Sequence, residues 1–215
     1  RDEIDWKSRE QALVELCDRY RKDGTTYDCL VPGSGGKDSF YAAHMLRYKY
    51  GMTPLTVTWA PHMYTDWGWK NFQAWIEAGF DNYLMTPNKR THRLLTRLAL
   101  ENLFHPFQPF MLGQKALAPK MAALFDISLV FYGENEAEYG NPIKDAESAR
   151  RDWSYFSGDD RSKIYLGGVS IQELTEDFGV SRADLSPYLP INPDVIEGKG
   201  IDVHYLGYYL PWHPQ

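Results

Sequence analysis

The sequence predicts an α/β protein built on a Rossmann-like parallel sheet. Three observations support this fold class. Short apolar or β-branched runs alternate along the chain with helical patterns of about ten to fifteen residues. A glycine-rich turn joins the first of these runs to a helical pattern, and Gly51 and Gly79 stand where two predicted helices end. Strands that alternate with helices form βαβ units, so ligand sites are expected beyond the carboxyl ends of the strands.

The elements follow from the patterns in chain order. Residues 5–22 place apolar side chains three and four positions apart, which predicts an amphipathic helix, and Asp23-Gly24 ends it. The runs that follow alternate in the same way. Strands are predicted at 27–32, 54–60, 82–85 and 128–132, and helices at 37–50, 65–78, 90–103 and 114–125. The pattern therefore predicts a sheet of at least these strands, with helices between them.

The alternating pattern fails beyond residue 138. Residues 141–163 are polar and irregular, which indicates a loop or lid, while 170–179 read as a short capped helix. The aromatic tail, 203–214, is strand-like. We therefore divide the chain into a domain at 1–140 and a loop or lid with a C-terminal extension at 141–215, packed on the same domain.

The composition indicates a globular protein. Of 215 residues, 43% are hydrophobic and 24% are charged, enough for a sizeable core. No apolar run approaches the roughly 18 residues of a membrane span, and the first residues are charged, so we expect a cytoplasmic protein. A net charge of −6 argues against a nucleic-acid partner, because phosphate backbones bind clusters of basic residues.

The glycine-rich turn, LVPGSGGKDS at residues 30–39, was tested against two phosphate-binding motifs. A Walker A loop needs Ser or Thr after Gly36-Lys37, but Asp38 stands there. A dinucleotide motif starting at Gly33 needs glycine at the same position 38. Neither motif fits.

The six residues SGGKDS do fit a phosphate-binding loop of another kind. Glycines permit a positive φ and close backbone approach, successive N–H groups form an anion nest, and the following helix contributes its positive end. Side chains add hydroxyl donors, a cation and a carboxylate that can orient the loop or hold Mg²⁺. The predicted site residues are Ser34, Gly35, Gly36, Lys37, Asp38 and Ser39. The alternative is a glycine turn with an N-cap aspartate.

This motif after a first strand resembles the signature of the PP-loop ATP pyrophosphatases, in the adenine-nucleotide α-hydrolase (HUP) superfamily. The resemblance implies a loop that holds the pyrophosphate of ATP, with Mg²⁺, while the α-phosphorus is attacked. It assigns catalytic roles to Lys37 and Asp38, and Asp38 to the metal. It also implies that adenine lies against the backbone at the end of the second strand, Val57 to Trp59, with Thr58 and Trp59 as its site residues, and that Gly133 approaches the α-phosphate.

Further segments resemble the N-acetyl sugar amidotransferases of lipopolysaccharide O-antigen and flagellin-sugar biosynthesis. These segments are YGMTPLTVTWAPH, LGQKALAPKMA, FYGENEAEYG and HYLGYYLPWHP. The resemblance implies that ATP activates the acetamido group of a nucleotide sugar or acidic sugar, and that ammonia replaces its oxygen. It also implies a glutaminase partner that channels ammonia, an N-terminal cysteine-rich stretch and a C-terminal region beyond this sequence.

Several polar residues follow later strands or open a predicted helix at the same edge, and they are candidates for contact with substrate. They are Gln114, Lys115, Glu134, Asn135 and Tyr139. The alternative for each is a solvated polar side chain. The aromatic tail or an exposed sheet edge is a candidate surface for a homo-oligomer.

Three alternatives remain open. A tRNA thiolase would share the loop but needs a reactive cysteine, often in Cys-x-x-Cys, and Cys17 and Cys29 form no such pair. Another PP-loop amide synthetase would differ only in its substrate. A non-catalytic nucleotide-binding subunit would not require an intact SGGKDS.

Overall fold

The structure is a computed structural model that describes residues 4–133, 149–150 and 164–211. Five parallel strands form its main sheet in the order β3-β2-β1-β4-β7. They are β1 (Cys29–Pro32), β2 (Pro54–Trp59), β3 (Asn82–Met85), β4 (Leu129–Tyr132) and β7 (Asp202–Tyr205). The predicted α/β fold with a parallel sheet is confirmed.

Helices cover both faces of the sheet, and a short antiparallel hairpin lies outside it. The helices are α1 (Trp6–Tyr20), α2 (Lys37–His44), α3 (Asp66–Glu77), α4 (Lys89–Leu103), α5 (Gln108–Leu124), α6 (Ile171–Glu176), α7 (Arg182–Leu185), α8 (Pro193–Gly198) and α9 (Leu206–Tyr209). The hairpin pairs β5 (Tyr165–Leu166) with β6 (Val169–Ser170). None of the helices in the described ranges is long and apolar enough to cross a bilayer.

Two apolar cores flank the sheet because successive side chains of a strand point to opposite faces. In β1, Cys29 and Val31 pack with α1, α2 and α3, whereas Leu30 packs with α4, α5 and the C-terminal helices. The strand pattern therefore buries both faces, as expected for a parallel sheet covered by helices.

The chain changes direction across the sheet between β1 and β4. From β1 it proceeds outward to β2 and β3, and it then returns to the other side of β1 to form β4 and β7. Open parallel sheets bind ligands at such a switch point, outside the carboxyl ends of the strands. In this chain the glycine-rich loop follows β1, and Gly133 follows β4.

Three elements differ from their predictions. A single helix was predicted at 37–50. In the structure α2 covers only Lys37–His44, and a π-helical turn, Met45–Lys49, follows it. The helix predicted at 114–125 begins earlier, at Gln108, because a proline is tolerated in a first helical turn. The aromatic tail is a strand only over Asp202–Tyr205 and then turns into α9.

The C-terminal extension takes part in the main sheet. Strand β7 pairs with β4 in parallel, with Val130 opposite Val203. Residues 149–150 lie beside β7, where Arg150 forms an isolated antiparallel bridge with His204 and an ion pair with Asp202. The hydroxyl of Tyr20 also donates to Asp202 Oδ2, at 2.7 Å, so β7 is bound to α1.

Candidate functional site

The glycine-rich loop occupies residues 33–36, between β1 and α2. The Gly33 N–H donates to the Val57 carbonyl at 2.9 Å, which attaches the start of the loop to β2. Gly35 has φ of +84°, a conformation that side chains rarely adopt, and a Cβ there would overlap the Asn71 carbonyl oxygen of α3. The loop therefore requires glycine at this position for two separate reasons.

Gly133, directly after β4, packs against the first turn of α2. A Cβ at Gly133 would overlap the Asp38 carbonyl oxygen and lie 3.0 Å from the Ser39 amide nitrogen. Backbones separated by more than ninety residues in sequence thus meet at the switch point of the sheet. The sequence indicated only that Gly133 approaches the α-phosphate, and that contact stays a prediction.

The start of α2 carries no side-chain cap from the residues that the structure describes. By contrast, Asp5, Thr65 and Asn88 cap the starts of α1, α3 and α4 with side-chain oxygens. The first N–H groups of a helix have no acceptor within that helix, and together with the helix dipole they attract an anion. An anion bound at Gly36 would therefore take the place of the missing cap.

The charged side chains of the loop lie next to each other. Lys37 Nζ and Asp38 Oδ1 are 3.2 Å apart, with the lysine side chain 56% exposed and the aspartate 20% exposed. Ser39 Oγ donates to the Gly36 carbonyl at 3.1 Å, so this hydroxyl shapes the loop, whereas Ser34 is exposed. The loop thus presents one exposed cation and one partly covered carboxylate.

The same residues fit Mg²⁺ bound together with a phosphate. No group of three or more His, Cys, Asp or Glu side chains is placed to bind a metal ion within the described ranges. Mg²⁺ usually takes only one or two carboxylates and completes its octahedral shell with phosphate oxygens and water. Asp38 is the residue that would supply that carboxylate.

The carboxyl end of β2 is filled by side chains of the protein itself. The Thr58 side chain is fully buried and its hydroxyl accepts from the Asn82 amide at 3.1 Å. The Trp59 ring is buried against Gly113 of α5. Both side chains are engaged within the protein, which is compatible with the implied contact between adenine and the backbone of Thr58 and Trp59. That contact stays a prediction.

Four rings lie together at the carboxyl end of β2, and we call them the β2-end cluster: Trp59, His92 and Tyr188, which are buried, and His62, which is half-buried. The ring centroid of His92 lies 3.9 Å from that of His62 and 5.6 Å from that of Tyr188. Tyr188 and Trp59 are 5.4 Å apart and meet edge to face. The Tyr188 hydroxyl and His92 Nδ1 share a hydrogen bond of 2.9 Å, and Lys89 Nζ donates to the Pro61 carbonyl at 2.6 Å.

Burial lowers the pKa of both imidazoles in this cluster. Burial, with a smaller contribution from His62 and Lys89, lowers the pKa of His92 to about 4. The pKa of His62 is also lowered, by burial first and then by Lys89 and Arg93. A low pKa and complete burial favour a packing role for His92, because an acid or base needs access to its substrate.

The structure locates two of the five predicted substrate residues. Gln114 and Lys115 lie within α5, next to the Gly113 turn that contacts Trp59, and they do not open the helix as predicted. Gln114 is exposed and Lys115 is half-buried. The other three residues, Glu134, Asn135 and Tyr139, lie outside the described residues.

Neither cysteine is placed for chemistry. Cys17 is 1% exposed and Cys29 is fully buried. Burial raises the pKa of Cys17 to about 12, and that of Cys29 rises well above its usual range for the same reason. Since the thiolate is the reactive form, this environment disfavours the persulfide chemistry of a thiolase.

Helix α3 also belongs to the site, and the sequence did not indicate it. The backbone of Asn71 lies directly under Gly35, and Trp75 is fully buried below both. Asn71 is an ordinary polar residue of a predicted helix, so no local pattern distinguishes it. Only the packing of α3 beside α2 brings it to the loop.

The chain has only distant similarity to known proteins. No protein-family profile matches the chain, and no curated protein matches it. Among solved structures, an NH₃-dependent NAD synthetase from Campylobacter jejuni subsp. jejuni NCTC 11168 is 10% identical, with a TM-score of 0.46 over 91% of this chain and 92% of that chain. An NMN synthetase from Francisella tularensis is 12% identical, with a TM-score of 0.45 over 92% of this chain and 94% of that one. At this level of similarity neither structure bears on the function.

Proposed function

We propose that this chain is an ATP-dependent amidotransferase with a PP-loop. In this proposal it activates the acetamido group of a sugar with ATP and replaces the amide oxygen with ammonia. The products are an acetamidino sugar, AMP and pyrophosphate. The cofactor Mg²⁺ and a cytoplasmic location belong to the same proposal.

One observation carries the proposal. The sequence SGGKDS forms a loop with a positive φ at Gly35, ahead of a helix that no described side chain caps, at the switch point of a parallel sheet. Such a site suits a phosphate chain, because it offers backbone donors and the positive end of a helix. Lys37 supplies the additional positive charge.

The proposed reaction balances in two steps. The acetamido oxygen forms a bond to the α-phosphorus of ATP, and the bond between the α-phosphorus and the bridging oxygen breaks to release pyrophosphate. Ammonia then adds to the activated carbon, and the bond from this carbon to oxygen breaks, so that the oxygen leaves in AMP. The nitrogen stays in the amidine, which is protonated at neutral pH.

The residues of this chain would act by positioning and by charge. The loop N–H groups, the start of α2 and Lys37 would neutralise the negative charge that shifts onto the leaving pyrophosphate. Asp38 would hold Mg²⁺, which neutralises further phosphate charge when it is bound. Gly133, which has no Cβ, lets the end of β4 pack closely against the start of α2, where the α-phosphate is proposed to lie. No side-chain nucleophile is required.

The source of ammonia is part of the proposal. A glutaminase needs an accessible thiolate, and the two cysteines of this chain are buried with raised pKa values. A separate glutaminase or ammonia-channelling subunit is therefore proposed as the partner. Homo-oligomer formation stays a prediction from an exposed sheet edge. The aromatic tail is a poor surface for it, because Tyr205 and Tyr209 are each only 4% exposed.

The experiment follows the amide oxygen. Purified protein is incubated with MgATP, ammonium and acetamido sugars labelled with ¹⁸O in the amide, in UDP-linked, CMP-linked and free forms. We expect pyrophosphate, an acetamidino product identified by mass spectrometry, and ¹⁸O in the phosphate of AMP. AMP without the label would contradict activation of the amide, and would indicate a synthetase that acts on another substrate.

A matched pair of lysine variants tests the loop. Lys37→Met should lower kcat by roughly 10²- to 10³-fold, the usual cost of losing one group that stabilises transition-state charge. Lys7→Met, on the exposed side of α1, should leave kcat unchanged. Equal rates for the two variants would rule out the assigned role of Lys37.

A further inference from the structure

An apolar surface, which we call the α4–α5 corner, lies where α4 ends and α5 begins. Large exposed side chains from the two helices and from the β5–β6 hairpin form it. They are Leu100, Leu103, Phe104, Phe107, Met111 and Tyr165. Spacings of three and four residues place these side chains next to one another within each helix. Gln108 Nε2 donates to the Tyr165 carbonyl at 2.9 Å, which holds the hairpin against the start of α5.

The α4–α5 corner is large for the surface of a single folded chain. Phe104, Phe107 and Tyr165 are 89%, 66% and 53% exposed. Since a whole aromatic side chain covers about 150–250 Å², these three expose roughly 300–500 Å². The largest apolar patch on a typical monomer covers about 300–600 Å² in total and often marks an interaction site. The two leucines and Met111 enlarge the corner further, so we expect it to have a partner.

Phe104 is the residue of this surface that the fold explains least. It ends α4 with a φ of +51°, in the left-handed conformation. Helices commonly end on a glycine in this conformation, because a Cβ is disfavoured there. A phenylalanine at this position is therefore disfavoured twice, by its backbone conformation and by its exposure to water. Contact of the ring with a partner would account for it.

A row of arginines, which we call the arginine stripe, extends from the corner along α4. The stripe and the corner share one face of the helix, because their exposed side chains recur at intervals of three and four residues. These side chains are Arg90, Arg93, Arg97, Leu100 and Phe104. Arg97 Nε lies 3.7 Å from Glu101 Oε1, whereas Arg90 and Arg93 form no ion pair with a carboxylate of the described residues. The stripe is thus a local concentration of cations on a chain with a net charge of −6.

We infer that the α4–α5 corner and the arginine stripe together bind an anionic lipid surface. Phe104 and Phe107 enter the boundary between headgroups and acyl chains, and the arginines contact lipid phosphates. Apolar side chains beside a row of cations are typical of a helix that lies on a membrane. The inference concerns where the chain is held, so it does not depend on the proposed reaction.

The charges favour a lipid surface over a second copy of this chain. Two copies related by a two-fold axis would present the same surface to each other. Each arginine stripe would then need carboxylates from an identical surface, where Glu101 already lies beside Arg97. Lipid phosphates supply the missing negative charge, and the acyl region accommodates exposed rings.

The test is cosedimentation of the whole chain with lipid vesicles. One preparation is pure phosphatidylcholine, and the other contains equal amounts of phosphatidylcholine and phosphatidylglycerol. We expect the chain to sediment with the anionic vesicles only. Binding should weaken at about 1 M NaCl, where the Debye length falls to about 3 Å and screens the contacts between arginine and phosphate.

Phe104→Gly separates membrane binding from folding. Glycine suits a φ of +51°, so the Tm should be unchanged or higher. The partition coefficient onto anionic vesicles should nevertheless fall at least tenfold, because a large apolar side chain is lost. The control is Trp67→Ser, which removes a side chain that is 73% exposed on α3, at the opposite face of the sheet. This control should change the coefficient less than twofold.

A double variant tests the arginine stripe. Arg90→Gln combined with Arg93→Gln should lower the same partition coefficient at least tenfold, because two cations near the lipid surface are lost. Arg19→Gln combined with Arg47→Gln makes the same change in net charge at exposed positions, on elements that pack against the opposite face of the sheet. This control should change the coefficient less than twofold.

Binding to anionic vesicles that both test variants lose and both controls keep would establish the inference. It is overturned if the wild-type chain sediments with neither preparation, or equally with both. Equal losses in Phe104→Gly and Trp67→Ser would also overturn it. If light scattering shows a dimer that Phe104→Gly dissociates, while no vesicles are bound, the corner binds a second copy and the inference is wrong.

Discussion

The carboxyl ends of β1 and β2 lie side by side in one sheet, yet they are built in opposite ways. Beyond β1 three of the four loop residues are glycines, and the backbones of Gly35 and of Gly133, at the end of the neighbouring strand β4, touch other elements directly. Beyond β2 the space is filled by the β2-end cluster, in which Trp59 and His92 are buried. The first arrangement leaves backbone donors and space for a ligand. The second removes space and stabilises the fold around it.

The difference shows how one sheet edge can serve two purposes. An anion site needs N–H groups at close range. A Cβ at Gly133 would overlap the Asp38 carbonyl oxygen and keep the end of β4 away from the start of α2. A rigid support needs dense packing, which the rings of Trp59 and Tyr188 supply. We therefore expect changes in the glycine-rich region to affect ligand binding, and changes in the β2-end cluster to affect stability.

The largest effect is expected for Gly133→Ala. The added methyl group would overlap the Asp38 carbonyl oxygen, which is backbone and can yield only if α2 shifts. We expect AMP formation to fall at least hundredfold and the free energy of unfolding in urea to fall by about 1–3 kcal/mol. Gly198→Ala, where a Cβ has no neighbour within 4 Å, is the control. Unchanged stability in Gly133→Ala would contradict the close approach.

Gly36→Ala should separate binding from stability. Gly36 has φ of −67°, and a Cβ there would meet no atom of the described structure within 4 Å. The free energy of unfolding should therefore change by less than about 0.5 kcal/mol. The Kd for MgATP should rise about tenfold, because the methyl group would occupy the space expected for phosphate. Wild-type affinity in this variant would exclude phosphate contact at Gly36.

Tyr188→Phe should show the reverse pattern. The change removes the hydrogen bond to His92 Nδ1 and leaves a fully buried imidazole with one partner fewer. The free energy of unfolding should fall by about 1 kcal/mol, which lowers the Tm by about 2–4 °C for a chain of this size. The Kd for MgATP should not change. Tyr165→Phe, at a residue that is 53% exposed, is the control, and an equal loss there would argue against the buried hydrogen bond.

The smallest effect is a pH dependence of stability that arises from buried histidines. The pKa values of His92 and His204 are lowered to about 4, mainly by burial, whereas both return to an ordinary value of 6.5 on unfolding. Between these values the unfolded chain binds more protons, so the free energy of unfolding falls as pH decreases. From pH 7 to pH 6 we expect a loss below about 1 kcal/mol for each histidine.

Histidine variants can show which side chains cause this pH dependence. His204→Gln and His92→Gln should each reduce the slope of unfolding free energy against pH between 7 and 6, whatever their effect on stability at pH 7. His105→Gln, at an exposed position, should leave the slope unchanged. If all three variants keep the wild-type slope, the loss of stability comes from other groups.

The sequence alone determined the alternation of strands and helices from α1 to β4 and the position of the glycine-rich loop. Both depend on local properties: the spacing of apolar residues, and the backbone freedom of glycine within residues 33–36. The same local rules placed helix ends less well. Proline in the first turn of α5 and the π-helical turn after His44 were both missed, because the packing around them decides where these helices begin and end.

Only the tertiary structure decided which distant residues meet. Gly133 reaches Asp38 because β4 pairs with β1, Asn71 reaches Gly35 because α3 packs beside α2, and β7 completes the sheet beside β4. The β2-end cluster likewise joins residues from β2, α4 and the turn after α7. Such contacts depend on strand register and helix packing across the whole chain, and no local pattern of residues encodes them.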